Sequence, residues 1–503
     1  MIFIFKKNPD NRAFEFPELP TLLFIYLFLG LLAFRENLML RDLDVCWLIR
    51  TGELIWNTGS LPETDIFSFT HAGKPWVLYQ WGFELFIGGL HILAGLGGVI
   101  WGGILFIALS YSFLFYFLLR LDIHRGICIL LLSSAMVING PSWYSRPNTV
   151  SIFFYILVLI NLESYRWKSS KKIWFLPFLF LLWSNIHLGF TSGLLVIFLY
   201  AIWAYFSPRE FKRDQAAKKD AKIFYVLFLC VVATLINPYN FSLYEYLWNL
   251  ALSSNMNNGI GELQSPNFHS SDNIPLIILI LLLFWFGSIT YKGRSLLLSL
   301  TCITMIMSLF SSRHIPYFSI PAIIHLAYTW KEKKQNFSSP IFQAQNFGKG
   351  WGWGFVASLV FFVWVFSVSK WNGNFYDFPR KIIPKQLSSH LEALVEEEKP
   401  SRIFVYGDGG QWNDYLIYRL YPKIRVFIDT RFDMYGDRFF LFDSSLSSKV
   451  FCDFNELLPF DIEFLIVKKI SRDNYSLPGV NFPWVLIYED SQSKLYHNIF
   501  MKS

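Results

Sequence analysis

Charge is scarce in this sequence, and cysteine is scarcer still. Only 16% of its 503 residues are charged, whereas 53% are hydrophobic and 19% are aromatic, and the mean hydropathy is +0.37. The five cysteines are scattered, so we expect neither a disulfide framework nor a zinc site. The apolar residues form runs of roughly 15 to 20, the length that a helix needs to cross a bilayer. The sequence therefore predicts a polytopic membrane protein and excludes an ordinary water-soluble one.

The apolar runs predict about eleven membrane-spanning helices. Residues 79–95 are also apolar, but the distribution of basic residues between the loops argues against a full crossing there. No cleavable signal peptide is evident, and the N-terminus is expected in the cytoplasm. The net charge of +7 reflects basic residues in cytoplasmic loops and needs no nucleic-acid partner. The predicted spans are 20–36, 97–119, 126–140, 148–164, 172–186, 188–206, 222–237, 273–290, 294–311, 315–330 and 350–369.

The same topology divides the chain into two domains. A transmembrane domain, residues 1–370, carries a large first outer loop at 37–96. A second outer loop, at 238–272, contains no Lys or Arg. After residue 370 the apolar runs shrink to strand length, as in RIFVY, RVFID, EFLIV and WVLIY. Residues 371–503 are therefore predicted to be a soluble extracytoplasmic α/β domain on a mainly α-helical membrane protein.

Three acidic residues in the outer loops are candidates for catalysis. Asp42 and Asp44 follow the first span, where a carboxylate could act as general base towards a hydroxyl or as half of a divalent-cation site. The alternative is a solvated helix start, because aspartate favours the positive end of the helix dipole. Glu262 lies in the loop that lacks basic residues, where it is either a second acid/base or metal group or a plain solvated side chain.

Isolated polar residues stand at the predicted outer ends of several spans. They are Arg146 in SWYSRPN, Asn185 and His187 in LWSNIHLG, and Arg313 and His314 in SSRHIPYF. Ionisable groups at membrane depth are costly and usually face an interior cavity, so each is a candidate for substrate binding. The arginines and His314 could converge on a phosphate. Snorkelling of single side chains towards the interface is the alternative.

Two further sets of residues have both a functional and a structural interpretation. In the first loop, Arg50, Trp76 and Trp81 are candidates for binding an acceptor or a prenyl chain, although the tryptophans also suit an interfacial aromatic belt. In the C-terminal domain, the segment FIDTRFDMYGD is either a binding edge formed by Asp429, Arg431, Asp433 and Tyr435 or a strand end closed by a local Asp/Arg ion pair.

Several blocks of the sequence resemble those of a known group. DLDVCWLIRTGELI, SRPN, WSNIHLGF, GELQSPNF, SRHIPYFSI and VFIDTRFDMYGD are similar to blocks of bacterial membrane proteins assigned to the GT-C superfamily of membrane glycosyltransferases. The superfamily includes protein O-mannosyltransferases, lipid A aminoarabinose transferases and oligosaccharyltransferases. The resemblance implies an essential acidic residue after the first span, which Asp42 and Asp44 match. It also implies two juxtamembrane helices in the first loop, at residues 44–56 and 79–94.

The resemblance implies a hexosyl transfer from a polyprenyl-phosphate carrier to a glycan, lipid or protein acceptor. The reaction would take place at the outer face of the inner or plasma membrane, among membrane lipids. Asp42 or Asp44 would take the proton of the acceptor, and Arg146, Arg313 and His314 would stabilise the leaving phosphate. Single displacement would invert the anomeric carbon. A divalent cation, Mg²⁺ or Mn²⁺, held by Asp44 and Glu262, remains open.

Two rival functions use the same residues differently. A transporter of a lipid-linked anion would need the outer arginines, but it also calls for polar residues at mid-span or for broken, repeated helices. The predicted spans 97–119, 273–290 and 350–369 have no ionisable centre, which counts against transport. An envelope assembly protein would instead use the C-terminal domain to bind its partner.

Overall fold

A computed structural model describes most of the chain. Helices make up the part before residue 335, and a layer of strands with flanking helices makes up the part after residue 375. The mainly α-helical class with a small C-terminal α/β part is therefore confirmed. The predicted span at 350–369 lies outside the described residues except for positions 360 and 364. The described residues are 18–33, 38–168, 170–206, 221–253, 259–287, 295–334, 360, 364, 376–396, 399–407, 410–437, 439, 457, 459–469 and 483–501.

Apolar helices dominate the N-terminal part. Within the described residues, three helices are long and apolar enough to cross a membrane: Trp81–Leu119, Arg125–Ser142 and Pro147–Trp167. Shorter apolar helices accompany them, as suits a membrane protein, but the number of eleven spans stays a prediction. The helices are α1 (Leu19–Leu32), α2 (Asp44–Thr58), α3 (Trp81–Leu119), α4 (Arg125–Asn139), α5 (Pro147–Lys168), α6 (Leu176–Ser184), α7 (Phe190–Phe206), α8 (Lys222–Thr234), α9 (Ser242–Leu252), α10 (Ile274–Leu282), α11 (Ser295–Phe310) and α12 (Ile315–Lys334).

Helix α2 lies in the first loop, residues 37–96. Asp44 occupies its first turn, where a negative charge suits the positive end of the helix dipole. The helix ends at Gly59, whose φ of 68° is easily adopted only by glycine. The apolar side chains between these ends recur at helical spacing and are buried. The helix predicted at residues 44–56 is therefore confirmed.

Helix α3 consists of two pieces. Its backbone leaves the helical conformation at Ala94 and Gly95, where the φ of Gly95 is 58°. Residues 81–93 form one helix, and residues 96–119 form the apolar helix that is long enough to cross a membrane. The break separates the segment predicted not to cross from the predicted span, and it confirms a helix close to residues 79–94.

The two loop helices touch through glycines. A Cβ atom built on Gly52 would lie 2.8 Å from the carbonyl carbon of Glu84 and 2.9 Å from the Cα atom of Gly88. One built on Gly88 would lie 2.6 Å from the Cα atom of Gly52. Real Cβ atoms do not approach backbone atoms so closely. The backbones of α2 and α3 are therefore in direct contact, which leaves no room for a side chain at either position.

The C-terminal part contains a five-stranded mixed sheet with the order β2-β1-β3-β5-β4. The first three strands in this order are parallel, whereas β3, β5 and β4 pair in antiparallel fashion. The four strands predicted from RIFVY, RVFID, EFLIV and WVLIY are present, and β5 is an additional strand. The elements are β1 (Ser401–Tyr406), β2 (Ile424–Val426), β3 (Phe464–Lys468), β4 (Trp484–Glu489), β5 (Ser493–Asn498), α13 (Lys385–Leu394), α14 (Gln411–Leu420) and α15 (Phe432–Tyr435).

The first outer loop adds to one edge of this sheet. The backbone N–H of Val426 in β2 donates to the carbonyl oxygen of Phe67 at 3.1 Å, and the N–H of Phe69 donates to the carbonyl oxygen of Val426 at 3.1 Å. The pairing is parallel and centres on Ser68. An edge strand has unpaired backbone groups that such a segment can satisfy. The hydrogen bonds therefore hold the C-terminal domain against the loop that carries Asp42 and Asp44.

We expect the substitution Gly52→Ala to destabilise the protein. The added methyl group meets backbone atoms that cannot rotate away, so α2 and α3 must separate, at a cost on the order of 1–3 kcal/mol. Thermal unfolding in detergent should then occur at a lower temperature than in the wild type. Gly30→Ala in α1 is the control, because nothing lies within 4 Å of its Cβ position. Equal melting temperatures of the two variants would contradict the close packing.

Candidate active site

Two aspartates lie side by side at the start of α2. The Oδ1 atom of Asp42 accepts a hydrogen bond of 3.1 Å from the backbone N–H of Asp44, so the first carboxylate caps the turn that leads into the helix. Both side chains are largely buried, with exposed fractions of 11% and 14%. Two buried carboxylates so close together repel each other unless a cation or a proton compensates them.

Arg146 supplies the cation, from the turn before α5. Its Nη1 atom lies 2.6 Å from Oδ2 of Asp42, and its Nη2 atom lies 2.7 Å from Oδ2 of Asp44. The Nη1 atom is also 3.1 Å from Oε1 of Glu262 in the second outer loop. One guanidinium group thus joins the three acidic residues that the sequence predicts as catalytic.

Glu262 connects this group to a second arginine. Its Oε2 atom lies 3.1 Å from Nη2 of Arg313, and its carbonyl oxygen accepts hydrogen bonds from Ser311 and Ser312 at 3.2 and 3.0 Å. Burial by itself would raise the pKa of Glu262, but the guanidinium groups of Arg146 and Arg313 lower it. The side chains of Glu262 and Arg313 are 45% and 38% exposed, so this pair lies on the solvent-exposed side of the site. The ion-pair cluster, as we call it, comprises Asp42, Asp44, Arg146, Glu262 and Arg313.

Two predicted histidines lie near the cluster in their neutral form. The Nδ1 atom of His187 is 2.7 Å from the hydroxyl oxygen of Ser151 and accepts the N–H of Gly189 at 3.1 Å. Burial and the nearby arginines lower the pKa of His187 to about 3. Burial and Arg313 also lower the pKa of His314. At neutral pH these rings therefore offer hydrogen bonds and no positive charge.

The C-terminal domain reaches the aspartates through Gln411, the first residue of α14. Its Oε1 atom accepts a hydrogen bond of 3.1 Å from the backbone N–H of Leu43. Its Nε2 atom donates to Oδ1 of Asp44 at 3.4 Å. A single amide side chain thus contacts both the turn between the two aspartates and the carboxylate of the second.

Thr430, which follows β2, forms a second link. Its Oγ1 atom accepts a hydrogen bond of 3.2 Å from Nε1 of Trp47 on α2. The same hydroxyl oxygen lies 2.7 Å from Oδ2 of Asp414, and the N–H of Thr430 donates to Oδ1 of Asp414 at 3.2 Å. The side chain of Asp414 is fully buried in α14. The hydroxyl group also lies within reach of the Asp44 carboxylate, whose pKa it lowers.

The environment of Asp44 brings the pKa of its carboxyl group close to neutral pH. Burial raises the pKa of Asp44 to about 7, Arg146 opposes the rise, and the negative charge of Asp42 adds to it. A carboxyl group with such a pKa is partly ionised at neutral pH, as a general base requires. The site can therefore accept a proton from a hydroxyl group beside two guanidinium groups that suit an anion.

Three other predicted site residues make contacts away from the ion-pair cluster. The Nε atom of Arg50 donates to the carbonyl oxygen of Tyr418 at 2.7 Å. The Nε1 atom of Trp81 donates to Oδ1 of Asn185 at 2.9 Å, and Nδ2 of Asn185 donates to the carbonyl oxygen of Ile236 at 2.9 Å. These bonds hold helices and domains together. A role for the three residues in substrate binding stays a prediction.

The fourth, Trp76, covers a buried arginine. The Nη2 atom of Arg431 lies 2.7 Å from Oδ1 of Asp65 in the first loop and 2.5 Å from Oδ2 of Asp429, and these side chains are at most 1% exposed. The guanidinium carbon of Arg431 is 4.3 Å from the ring centre of Trp76. The predicted local Asp/Arg ion pair is therefore present, between Asp429 and Arg431, and Asp65 extends it to the first loop. We refer to these four residues as the buried arginine contact.

The sequence analysis missed Gln411, Asp414 and Thr430. Nothing in their local pattern marks them, because each belongs to an ordinary helix or turn. Their positions relative to the strands are informative, however. Gln411 follows β1 and Thr430 follows β2, and these strands are parallel neighbours. Loops at the carboxyl ends of parallel strands meet at one edge of a sheet, where open α/β sheets commonly bind ligands. That rule could have identified the edge once the strands were predicted.

The fold is similar to solved structures, although no family model and no curated protein matches the sequence. ArnT from Cupriavidus metallidurans in the apo state has 10% identity and a TM-score of 0.53, over 96% of this chain and 97% of ArnT. ArnT bound to undecaprenyl phosphate has 10% identity and a TM-score of 0.50, over 95% and 98%. The archaeal oligosaccharyltransferase AglB from Archaeoglobus fulgidus, in complex with an inhibitory peptide and a dolichol-phosphate, has 9% identity and a TM-score of 0.50, over 89% and 68%.

At identities this low, the likeness concerns the fold alone. ArnT and AglB are both membrane glycosyltransferases of the GT-C superfamily. Their resemblance to this protein extends over most of the chain, from the first helix into the C-terminal domain. The fold that the sequence motifs imply is thus confirmed: this chain has the GT-C fold.

Proposed function

We propose that this protein is a GT-C-type glycosyltransferase that transfers a sugar from a polyprenyl-phosphate carrier to an acceptor at the outer face of the membrane. The observation that carries the proposal is the ion-pair cluster, where a carboxyl group with a pKa of about 7 lies beside two arginines. Sugar transfer needs a base for the acceptor and cations for the leaving phosphate. The fold supports it, because ArnT was solved with undecaprenyl phosphate and AglB with dolichol-phosphate.

Asp44 is better suited than Asp42 to be the base. Both oxygens of Asp42 are engaged, one by the N–H of Asp44 and the other by Arg146. Asp44 uses Oδ2 for Arg146, whereas its Oδ1 atom accepts a long bond of 3.4 Å from Gln411. The hydroxyl oxygen of the acceptor attacks the anomeric carbon as Asp44 takes the proton. The bond from that carbon to the phosphate oxygen breaks with its electron pair on the phosphate, and single displacement inverts the carbon.

The leaving phosphate would bind Arg313 and Arg146. Glu262 now pairs with both guanidinium groups and is the most exposed acid of the cluster. A phosphate has the oxygen geometry to replace it on the arginines. We therefore assign Glu262 the role of an exchangeable counter-ion, which keeps the arginines in position until the donor arrives. His187 and His314 can add neutral hydrogen bonds.

A divalent cation does not fit the residues of this site. The carboxylates of Asp42, Asp44 and Glu262 all face the guanidinium group of Arg146, which lies where a shared cation would have to sit. Calcium and magnesium need several oxygen ligands around one point. Across the described residues, no group of three His, Cys, Asp or Glu side chains could hold a metal ion.

Substitution of the base tests the proposal. Purified protein in proteoliposomes is offered a panel of polyprenyl-phosphate sugars with glycan, lipid and peptide acceptors. We expect Asp44→Asn to lower kcat roughly 10²- to 10⁴-fold, the usual effect of a lost general base. Asp42→Asn should lower kcat by a smaller factor. Asp272→Asn, in the second outer loop, is the matched control. Sugar transfer by Asp44→Asn at the wild-type rate would contradict the proposal. Binding of the donor by the wild type without sugar transfer to any acceptor would favour a transporter.

The rate should depend on pH through Asp44. Its pKa is raised to about 7, and the base works only when it has lost its proton, so kcat/KM should rise as the pH increases through about 7 and then level off. Initial rates between pH 5 and 9 in a constant-ionic-strength buffer measure this limb, with protein stability checked at each pH. A rate that stays constant down to pH 5 would exclude Asp44 as the base.

Chelation of metal ions should leave transfer unchanged. Arg146 already supplies the positive charge between the carboxylates, so no added cation is needed to compensate them. Protein treated with EDTA and dialysed is assayed with and without Mg²⁺ or Mn²⁺. The variant Arg146→Gln, which loses the charge, should lose activity under all these conditions. Activity that disappears on chelation and returns with either ion would contradict this prediction.

A further inference from the structure

The C-terminal domain contributes the polar contacts behind Asp44. Among the described residues, Gln411 bonds the Oδ1 atom of Asp44, the oxygen that Arg146 leaves free. The same amide group is fixed by the N–H of Leu43, so its NH₂ group has a defined direction. A carboxylate that must accept a proton needs to be held in one orientation, since small misplacements cost rate. Gln411 meets this need from a different domain.

The Thr430 hydroxyl group lies between two carboxyl groups. It has one proton to donate, and it accepts the N–H of Trp47. Burial, together with the negative charges of Asp44 and Asp429, raises the pKa of Asp414, so this carboxyl group tends to keep its proton. A protonated Asp414 donates to Thr430, and the hydroxyl proton is then free for Asp44. The chain of bonds thus runs from the interior of the C-terminal domain to the proposed base.

We propose that the C-terminal domain completes the active site, with Gln411 and Thr430 as positioning residues that hold the Asp44 carboxylate as a proton acceptor and Asp414 as the group that orients Thr430. The inference rests on the function proposed above. It gives the domain a part in the reaction itself, beyond packing against the loop.

Several charged groups besides these face Asp44, and the test must separate their effects. Asp42 lies on the same turn, Arg146 precedes α5, Glu262 belongs to the second outer loop, and Asp414 lies on α14. None of them changes when Thr430 or Gln411 is replaced by an uncharged residue of similar size. A shift in the titration of Asp44 in such variants therefore reports on the lost hydrogen bond.

The titration of Asp44 can be measured without turnover. A carbodiimide reacts with protonated carboxyl groups, and mass spectrometry of the full-length protein after digestion assigns the label to Asp44. Wild-type labelling should fall as the pH rises through about 7. In Thr430→Val the midpoint should move up by roughly one to two pH units, the value of one hydrogen bond to a charged group. Thr430→Ser keeps the hydroxyl and should titrate like the wild type.

Gln411→Met is the second variant, and it carries the test if Thr430→Val does not fold. It keeps the length of the side chain and removes both amide hydrogen bonds, so the Asp44 midpoint should again move up. With an active donor, kcat should fall roughly 10- to 100-fold while KM changes little, because orientation and not binding is lost. Gln492→Met is its control, since Gln492 bonds the carbonyl oxygen of Arg380 at 3.2 Å elsewhere in the domain.

Thr70→Val controls for domain docking. The hydroxyl group of Thr70 donates to the carbonyl oxygen of Phe427 at 2.6 Å, across the same junction but away from Asp44. An equal shift in Thr70→Val and Thr430→Val would overturn the inference, and so would unchanged midpoints in Thr430→Val and Gln411→Met. A wild type whose Asp44 titrates as expected but transfers no sugar would overturn the proposed function alone.

Discussion

The arrangement of this protein depends on one buried charge, that of Arg431. Its guanidinium group lies between Asp65 of the first loop and Asp429 of the C-terminal domain, under the ring of Trp76. Removing the guanidinium group would leave two carboxylates uncompensated in a dry interior, which is far costlier than losing a surface pair. The chain next to this contact is thereby fixed as well. Thr430, between two members of the contact, is held against Trp47 on α2, and the sheet edge is held beside the aspartates.

The ion-pair cluster contains more acidic than basic side chains. Three carboxylates surround two guanidinium groups. Burial raises the pKa of Asp44, and the negative charges of Asp42 and Glu262 add to the rise. In the function proposed above, the phosphate of the donor would bring further negative charge to the cluster, so it would replace Glu262, the acid most exposed to water, on the arginines. Donor binding would then be coupled to release of the Glu262 carboxylate, and the pKa of Asp44 would depend on which anion is bound.

The sequence predicted many of the helices and strands, but it did not predict which residues far apart in the chain contact each other. Short apolar runs located four strands, because that signal is local. The resemblance to GT-C proteins located α2, and the distribution of basic residues separated residues 79–95 from the span that follows. The cost of charge near a membrane identified Arg146 and Arg313, and the position after the first span identified Asp42 and Asp44. That cost does not tell which charged residue meets which, so Arg50 was grouped with them although it bonds the C-terminal domain. Strand β5 has a mixed polar sequence, and it is a strand only because β3 and β4 pair with it.

The separation of the site residues along the chain affects how the protein is made. Asp44 and Gln411 are 367 positions apart, and Trp47 and Thr430 are 383 apart. A ribosome releases the two aspartates long before Gln411 and Thr430 are made. Until then Asp44 lacks the hydrogen bond from Gln411, and Trp47 lacks its bond to Thr430. The order of synthesis therefore delays the mature site to the last step of biogenesis, and a prematurely terminated chain inserts into the bilayer without it.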